Sequence, residues 1–275
     1  MLNGHGTEQV RREAKVLLMY ENDEFYLEID GIRIHAKLDF PGQQKDRMPL
    51  LIVFHGLTGD MEERHIRAVA DAANREGFAS LRVELYGHGK SGGELKNHTI
   101  LIWLSEAMRV IEFASKLPFV TDLYVTGHSQ GGLTAILLGG IERDRIKALI
   151  PLSPAVSLVE SVRKGRLFEA SFDPEHLPET IRLDTYELSS EYVRAMRTMP
   201  VREAASAFTK PVLIVHGTED GTIPFRYAEK IRDCYANARL VPVEGDTHCY
   251  DRHLDAVVDA VRRFLREMET GFRNG

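Results

Sequence analysis

An α/β fold, with a mostly parallel central sheet flanked by helices and a small helical cap insertion, is predicted for this chain of 275 residues. Apolar runs typical of buried strands alternate with helical stretches from residue 49 onward, which is the order of elements in a parallel sheet covered by helices. The interval between residues 152 and 211 is roughly twice as long as a helical crossover of ~30 residues requires. This excess predicts the insertion.

The first element with a clear pattern is a hairpin. Residues 25–29 and 32–38 alternate apolar and polar side chains on either side of Asp30-Gly31. That dipeptide tolerates positive φ angles and suits a two-residue turn. We therefore expect an antiparallel edge before the parallel strands.

Six apolar runs then predict the buried strands of the central sheet. They are rich in Val, Ile and Leu, as strands covered on both faces are. The runs are residues 49–55, 78–85, 123–126, 147–152, 211–216 and 239–243. Between Leu254 and Met268 apolar side chains recur every three or four residues, which predicts a final helix with one buried face.

Residues 155–210 form the predicted cap. They contain Pro174, Pro178 and Pro200 together with two short helical patterns and mixed charge. We interpret them as a small helical cap over the sheet and not as an independent domain. Residues 1–275 are accordingly expected to form a single domain.

Composition excludes several classes of protein. The 43% hydrophobic and 28% charged residues are typical of a globular chain and exclude a disordered or fibrous one. The formal net charge of −6 leaves no surplus of Lys and Arg to neutralise nucleic acid or an anionic membrane surface. We expect neither as a partner.

Targeting signals are not evident in the sequence. Residues 1–15 are polar and charged where a secretory signal needs an apolar stretch, and no apolar run approaches the ~20 residues of a membrane span. Cys234 and Cys249 cannot form a disulfide framework and have no zinc-site spacing, so we interpret them as free thiols. The expected protein is soluble and cytoplasmic, with residues 16–20 as either an edge strand or an interface segment.

The decisive motif lies at residues 123–132, where a β-branched run leads into Gly127-His-Ser129-Gln-Gly131 and then into a helix-forming run. A serine hydroxyl is a weak nucleophile unless a sharp strand-to-helix turn exposes it, and the flanking glycines avoid collisions with neighbouring elements. The N-terminus of the helix also offers free N–H groups to a developing oxyanion. The pattern predicts Ser129 as a nucleophile.

A nucleophilic serine needs a base and an acid that orients the base, and on this type of sheet they follow the serine in the order acid, histidine. Asp220 follows the fifth apolar run and His248 follows the sixth. We predict that Asp220 and His248 are the partners of Ser129. Glu219 and Asp246 are the competing acids, and we interpret each as a surface or loop-capping group.

The loop after the first parallel strand, His55-Gly-Leu-Thr-Gly59, supplies the remaining requirement, a second oxyanion donor. Gly56 lets the backbone turn, so that the N–H of Leu57 and the N–H of Gln130 can point to the same position. Ligands bind at such strand ends in open α/β sheets, which favours this role over a plain glycine turn.

Two other signals are weaker. Gly89-Lys-Ser91 resembles the end of a phosphate-binding loop, but Glu84 stands where that loop requires its first glycine. Cys249 lies beside His248 and outside the elbow, so we interpret it as a packing residue. Among the other histidines, we interpret those at positions 55, 128 and 216 as packing residues and His253 as solvated or capping.

With these motifs the chain resembles the α/β-hydrolases, and within them most closely the bacterial cinnamoyl or feruloyl esterases. The resemblance runs from about residue 25 to the C-terminus. Its matching stretches are His55-Gly-Leu-Thr-Gly59, Tyr86-Gly-His-Gly-Lys-Ser91, Gly127-His-Ser-Gln-Gly-Gly132, Phe172-Asp-Pro-Glu-His-Leu-Pro178, Phe208-Thr-Lys-Pro211, His216-Gly-Thr-Glu-Asp220 and Gly245-Asp-Thr-His-Cys249.

By this resemblance Ser129 is the nucleophile, His248 the base, Asp220 its partner, and Leu57 and Gln130 the oxyanion donors. The reaction it implies is the hydrolysis of a small-molecule carboxylic ester through an acyl-enzyme, releasing hydroxycinnamic acids such as ferulate and p-coumarate. No metal or organic cofactor is expected. Relatives of this kind often form homodimers.

The resemblance also points to substrate-binding residues in the cap, where a tyrosine, an aspartate and a glutamine face the phenolic hydroxyl. The tyrosine falls on Tyr192, but Ser161 and Phe168 occupy the other two positions. Either Glu160 or Glu169 substitutes from an adjacent position, or the pocket prefers a less polar acyl chain. Tyr192 itself is either a substrate-binding residue or a core residue of the cap.

Two alternatives remain. The first is a general short-chain carboxylesterase or monoacylglycerol-type lipase, which would prefer aliphatic esters. The second is a hydrolase fold that only binds ligands, which predicts a damaged triad or oxyanion loop. Neither motif is damaged in this sequence, so the sequence favours an enzyme.

Overall fold

The structure is a computed structural model that describes residues 24–43 and 46–271. The proposed edge strand or interface segment at residues 16–20 lies outside the described residues. The twelve described strands are β1 (Glu24–Ile29), β2 (Ile32–Asp39), β3 (Met48–Phe54), β4 (Ala79–Val83), β5 (Val120–His128), β6 (Ile146–Leu152), β7 (Arg166–Leu167), β8 (Ala170–Ser171), β9 (Thr180–Arg182), β10 (Glu187–Ser189), β11 (Val212–Gly217) and β12 (Ala238–Val243).

The described helices lie between these strands and after the last of them. They are α1 (Arg64–Arg75), α2 (Ile100–Ser115), α3 (Gln130–Ile141), α4 (Ser157–Arg163), α5 (Ser190–Met196), α6 (Val201–Ala207), α7 (Arg226–Arg232) and α8 (Leu254–Thr270). A short 3-10 turn covers residues 95–97. The final helix and its single buried face confirm the prediction from apolar spacing.

The central sheet has eight strands in the order β1-β2-β4-β3-β5-β6-β11-β12. The first two strands form the predicted antiparallel hairpin, with Asp30 and Gly31 at positive φ in its turn. Strand β2 also pairs antiparallel with β4, and the pairs from β4 to β12 are parallel. The predicted fold class, a mostly parallel sheet flanked by helices, is confirmed.

The predicted strands agree with the observed ones within two residues at each end, except for β5. That strand starts at Val120 and not at residue 123, and it continues to His128. Polar Thr121 and Asp122 interrupt the apolar run at its start, and Gly127 adds no side chain at its end. The backbone ladder continues through these positions, because main-chain hydrogen bonds do not depend on the polarity of the side chains.

Both faces of the sheet are buried, as the apolar runs predict. Along β3, Leu50, Ile52 and Phe54 belong to one apolar cluster, and Leu51 and Val53 belong to the other. This alternation is the period of two of a pleated strand. Helices α2 and α3 cover the first cluster and helices α1 and α8 cover the second.

The insertion between β6 and β11 is less helical than predicted. It contains the three short helices α4, α5 and α6, but also two antiparallel hairpins, one made by β7 and β8 and the other by β9 and β10. Strands of two or three residues are too short to show an alternating pattern, so the sequence does not predict them. Leu188 and Tyr192 of this segment join the apolar cluster on the α2 and α3 face, which ties the cap to the domain.

The register of the sheet brings four loops to one edge. Phe54 at the end of β3 is paired with Gly127 of β5, and Gly217 at the end of β11 is paired with Val243 of β12. The loops that follow these strands therefore start side by side, at the carboxyl edge where open α/β sheets bind ligands. Among the described helices, none is long and apolar enough to span a membrane.

Candidate active site

Ser129 occupies a sharp turn between β5 and α3. Its backbone has φ 54° and ψ −115°, a region that a residue with a Cβ atom rarely adopts. Neighbouring backbone comes close on both sides: a Cβ on Gly127 would lie 2.4 Å from the carbonyl carbon of Gly131, and one on Gly131 would lie 2.3 Å from the oxygen of His55. Only glycine fits at these two positions, which explains the spacing of the motif.

Backbone hydrogen bonds hold the turn in this strained geometry. The Ser129 N–H donates to the Leu152 oxygen over 2.9 Å, and the Ser129 oxygen accepts from the N–H groups of Leu133 and Ala155. Gln130 is the first residue of α3, and the first N–H groups of a helix have no acceptor within it. The turn thus presents a half-buried hydroxyl next to a free backbone donor.

Asp220 lies in the loop after β11 with its side chain fully buried. Its Oδ1 accepts the N–H groups of Thr222 and Ile223 over 2.9 and 2.7 Å, and its Oδ2 lies 2.6 Å from His248 Nδ1 and 3.0 Å from His216 Nε2. Burial raises the pKa of this carboxyl, but the hydrogen bonds from His216, His248 and the backbone outweigh it and hold the pKa well below its usual range. Asp220 is therefore an ionised acceptor.

His248 lies in the loop after β12 and is 14% exposed at its side chain. Since the Asp220 carboxylate only accepts, His248 Nδ1 carries the proton and Nε2 is left free to accept one. His128, next to Ser129 in the chain, donates from Nε2 to the His248 oxygen over 2.8 Å, with ring centroids 4.6 Å apart. This contact ties the histidine loop to the serine turn.

The two competing acids have structural partners. Glu219 is exposed and pairs with Arg252. Asp246 is fully buried, and its carboxylate accepts the N–H groups of Thr247, Arg252 and His253. Asp246 thus fixes the loop that carries His248, which agrees with the loop-capping interpretation.

The loop after β3 lies against the serine turn. A Cβ on Gly56 would be 3.3 Å from both Ser129 Cβ and His128 Nδ1, so Leu57 follows directly on a residue in contact with the turn. Thr58, the next residue, has φ 65°, which is an outlier for a β-branched side chain. The structure therefore brings Leu57 to the same strand edge as Ser129 and Gln130.

Comparison with known proteins extends these observations. A family model described as serine aminopeptidase S33 matches residues 45–181, and one described as TAP-like protein matches residues 190–274. The structure of Est1E from Butyrivibrio proteoclasticus with ferulic acid bound aligns with 90% of this chain and 99% of the Est1E chain. The two sequences are 46% identical, and the TM-score is 0.88. This chain belongs to the α/β-hydrolase superfamily of serine esterases.

Other relatives of this serine esterase are more distant. A curated Haemophilus influenzae protein, provisionally described as an esterase/lipase, is 24% identical over 92% of this chain and 96% of its own length. Alpha/beta hydrolase domain-containing protein 10 from mouse is 15% identical, with a TM-score of 0.71 and 91% of this chain covered. At that identity the mouse protein shares the fold alone.

The three cap residues of this esterase lie in different elements of the insertion and differ in exposure. Tyr192 in α5 has no exposed surface, and its hydroxyl donates to Gln130 Oε1 over 2.8 Å. Ser161 is half-buried in α4, and Phe168 is half-buried at positive φ in the turn between β7 and β8. The buried environment of Tyr192 matches the core-residue alternative.

The two acids adjacent to Ser161 and Phe168 also have hydrogen-bond or ion-pair partners. Glu160 pairs with Lys164 and accepts the Tyr227 hydroxyl over 3.0 Å, and Glu169 accepts the Asp184 N–H over 2.7 Å. Glu160 lines a groove of about 660 Å³ between α4, α6 and α7, and none of the residues in the Ser129, Asp220 and His248 group lines that groove. Glu160 thus has a partner at each carboxylate oxygen, whereas Glu169 is exposed and is bound through Oε1 alone.

Sequence reasoning missed how several histidines of this esterase contact the site. His216, interpreted as a packing residue, shares its Nε2–H between Ile223 O and Asp220 Oδ2. His98 Nε2 accepts from Gln130 Nε2 over 2.6 Å. Such contacts join residues far apart in the chain, so no local pattern signals them.

The weaker signals have structural explanations. Ser91 accepts the His35 N–H and donates to Glu84 O, so the Gly89-Lys-Ser91 segment is held by the sheet. Burial raises the pKa of the Cys249 thiol to about 11, which keeps it protonated at neutral pH. Within the described residues no group of three or more His, Cys, Asp or Glu side chains is arranged to hold a metal ion.

Proposed function

We propose that this esterase hydrolyses carboxylic esters with Ser129 as nucleophile, His248 as general base and Asp220 as the residue that orients the base. The observation that carries the proposal is the 2.6 Å contact between His248 Nδ1 and Asp220 Oδ2 in the loop tied to the strained serine turn. This arrangement leaves His248 Nε2 as an acceptor for the serine proton.

The proposed reaction has two halves. Ser129 Oγ attacks the ester carbonyl carbon while His248 Nε2 takes the hydroxyl proton, and the imidazolium is stabilised by the Asp220 carboxylate. The tetrahedral intermediate then collapses: the bond to the alcohol oxygen breaks, and His248 returns the proton to that oxygen. Water, deprotonated by His248 in the same way, then attacks the acyl-enzyme carbonyl. The bond between the acyl carbon and Ser129 Oγ breaks, and His248 returns the proton to Oγ, which releases the acid and free Ser129.

The N–H groups of Leu57 and Gln130 are the proposed donors to the oxyanion. The support is positional, since Gln130 is the first residue of α3 and Leu57 follows Gly56, which contacts the serine turn. Losing one such donor typically costs about 10²- to 10³-fold in rate. Replacing a side chain leaves the backbone N–H in place. The contribution of each donor therefore depends on the conformation of the loop that carries it.

We propose hydroxycinnamate esters, such as those of ferulic and p-coumaric acid, as the substrate class. The support is the 46% identity, over 90% of this chain, to a protein whose structure holds ferulic acid. A short-chain aliphatic ester is the second candidate, because the Tyr192 hydroxyl is already bound to Gln130 and Glu160 is already paired. These contacts leave fewer polar groups of the cap to recognise a phenol.

The experiment compares kcat/KM on methyl ferulate, methyl p-coumarate and p-nitrophenyl butyrate for the parent enzyme and the Ser129→Ala variant. We expect higher kcat/KM on the two hydroxycinnamates and at least about 10⁴-fold lower kcat in the variant with unchanged circular dichroism. Substantial activity in Ser129→Ala would refute the nucleophile. A preference for butyrate in the parent enzyme would instead support the second candidate.

A further inference from the structure

A pair of buried histidines brackets the proposed oxyanion loop. His55 Nδ1 lies 2.7 Å from the Gly56 oxygen, and the Thr58 N–H donates to His88 Nε2 over 3.1 Å. Gly56 and Thr58 are the two neighbours of Leu57 in the chain. The residue whose N–H is the proposed oxyanion donor is therefore held from both sides by imidazole rings.

Both rings are anchored in the segment that follows β4. His55 Nε2 accepts the Leu85 N–H over 3.1 Å, and His88 Nδ1 lies 2.8 Å from the Tyr86 oxygen. A carbonyl oxygen only accepts, so Nδ1 carries the proton in both rings and Nε2 is the acceptor. Each imidazole thus bridges the oxyanion loop and the Leu85–Tyr86 backbone with one donor and one acceptor.

The surroundings keep this tautomer fixed. The two rings are buried with centroids 5.0 Å apart, and both lie about edge-on to Trp103, whose indole N–H donates to the same Tyr86 oxygen over 3.3 Å. The Tyr86 N–H donates to Glu106 Oε2 over 2.8 Å, which immobilises the anchor itself. Burial lowers the pKa of both histidines, that of His55 to about 3, so neither ring is charged at neutral pH.

The conformation that this contact holds is a costly one. Thr58 has φ 65°, a conformation that is strained for a β-branched residue. Such a backbone persists only where its surroundings determine it, and the Thr58 N–H has His88 Nε2 as its acceptor. The Leu57 N–H belongs to the preceding peptide, whose oxygen accepts from His55 Nδ1. Without the His88 acceptor the peptide between Leu57 and Thr58 can rotate to relieve the positive φ of Thr58. The accompanying change in the Leu57 backbone would tilt the preceding peptide and move its N–H off the oxyanion position.

We propose that His88 is a positioning residue that sets the oxyanion loop by accepting the Thr58 N–H. The inference rests on the proposed function, since it takes the Leu57 N–H as an oxyanion donor. His88 does not touch the substrate in this role; it acts through the conformation of the loop. Its removal should therefore affect the step in which negative charge develops on the carbonyl oxygen more than it affects substrate binding.

Two substitutions of His88 distinguish the loss of the acceptor for the Thr58 N–H from the loss of the rest of the imidazole ring. His88→Gln places an amide oxygen near the position of Nε2 and keeps an acceptor for Thr58. His88→Asn places its amide near Nδ1 and keeps only the contact with Tyr86. We measure kcat and KM on p-nitrophenyl butyrate and the inhibition constant of phenylboronic acid, which forms a tetrahedral adduct with a serine nucleophile.

We expect His88→Asn to lower kcat about 10- to 100-fold with KM within about threefold, because a misplaced donor loses part of its transition-state stabilisation. Phenylboronic acid should bind more weakly by a similar factor. In His88→Gln both quantities should stay within about threefold of the parent enzyme. Circular dichroism and the melting temperature report whether each variant is folded.

Three outcomes would overturn the inference: a folded His88→Asn variant with parental kcat, an equal loss in both variants, or a loss in KM alone. If His88→Asn does not fold, a loss of more than about tenfold in folded His88→Gln still refutes it. Ser129→Ala distinguishes this failure from a failure of the proposed function. An inactive Ser129→Ala with a fully active His88→Asn rejects only the positioning role.

Discussion

At the scale of single residues, the hydroxyl of Tyr192 connects the cap to the serine turn. It donates to the side chain of Gln130, which in turn donates to His98 Nε2, and all three side chains are fully buried. A buried chain of this kind orients each member, because an unpaired polar group in such surroundings is costly. The side chain of the residue that supplies one proposed oxyanion donor is therefore fixed by the cap.

Tyr192→Phe is expected to lower kcat/KM by a similar factor, about two- to tenfold, on methyl ferulate and on p-nitrophenyl butyrate. The hydroxyl supports Gln130 and has no exposed surface, so its loss should act on every ester equally. We also expect a loss of about 1 kcal/mol in the free energy of unfolding. A selective loss on methyl ferulate, by tenfold or more, would show that the hydroxyl binds the phenolic ring.

Glu63 is a second residue whose surroundings have a measurable consequence. Its side chain is 33% exposed overall, but Oε2 is buried and has no hydrogen-bond partner among the described residues. Burial, aided by the negative charge of Asp60, raises the pKa of this carboxyl to about 7. The folded protein therefore holds a proton that the unfolded chain releases above about pH 4.5.

The free energy of unfolding should accordingly fall as the pH rises from about 4.5 to 7, and the Glu63 contribution should level off above pH 7. Since the side chain is partly exposed, we expect a contribution of about 1 to 2 kcal/mol. Glu63→Gln removes this proton, so its stability should decline less over the same range. Urea unfolding of both proteins at pH 5, 6, 7 and 8 measures the difference, and parallel declines would contradict it.

At the scale of elements, the serine turn depends on how closely α3 approaches the end of β3. The backbone at Gly131 lies so near to the chain at Phe54 and His55 that an added Cβ would meet their carbonyl oxygens at 2.6 and 2.3 Å. These contacts are with backbone atoms and not with flexible side chains. The overlap with an added Cβ can therefore be relieved only if α3 moves. Both Ser129 and the first N–H groups of α3 would move with it.

Gly131→Ala is therefore expected to destabilise the fold by about 1 to 3 kcal/mol, as overpacking typically does, and to lower kcat at least tenfold. Gly42→Ala is the matched control, because an added Cβ there meets no atom within 4 Å and the residue has no positive φ. Chemical denaturation and initial rates of the two variants test this. Equal free energies of unfolding and equal kcat values in the two variants would show that α3 is free to shift.

At the scale of the whole molecule, helices from opposite ends of the described chain pack on one face of the sheet. Glu76, directly after α1, is 8% exposed at its side chain and pairs with Arg262 and Arg266 of α8 over 2.7 and 2.9 Å. Hydrogen bonds from Arg266 and Arg262 lower the pKa of the Glu76 carboxyl, although burial raises it. These two ion pairs link α1 to α8, the two helices that cover one face of the sheet.

Glu76→Gln should lower the free energy of unfolding by about 1 kcal/mol without changing kcat. Because the folded-state pKa is depressed, the difference from the parent protein should be present above about pH 4.5 and should vanish as the pH falls further. Glu112→Gln is the control, since Glu112 has two similar partners that join no second helix: Arg109 in α2 and Lys116 directly after it. A loss in Glu112→Gln as large as that in Glu76→Gln would argue against a role in helix packing.

The amino-acid sequence alone predicts the order of strands and helices along the chain, the strand-to-helix turn at Ser129 and the loops that carry Leu57, Asp220 and His248. These features are local: the period of apolar side chains, the glycine spacing and the position of a polar residue after a strand are all visible within about ten residues. The cap was predicted from its length and composition, but its two hairpins were missed because their strands are too short to show a pattern.

Tertiary packing sets the contacts between distant residues: which acid contacts His248, that His216 also bonds to that acid, and that His88 Nε2 accepts the Thr58 N–H. It likewise placed Tyr192 in the core with its hydroxyl bound to Gln130. Each of these contacts joins residues that are distant in the chain, and its energy depends on burial and on hydrogen-bond geometry within an ångström. A sequence pattern records which groups are available, whereas packing decides which of them meet.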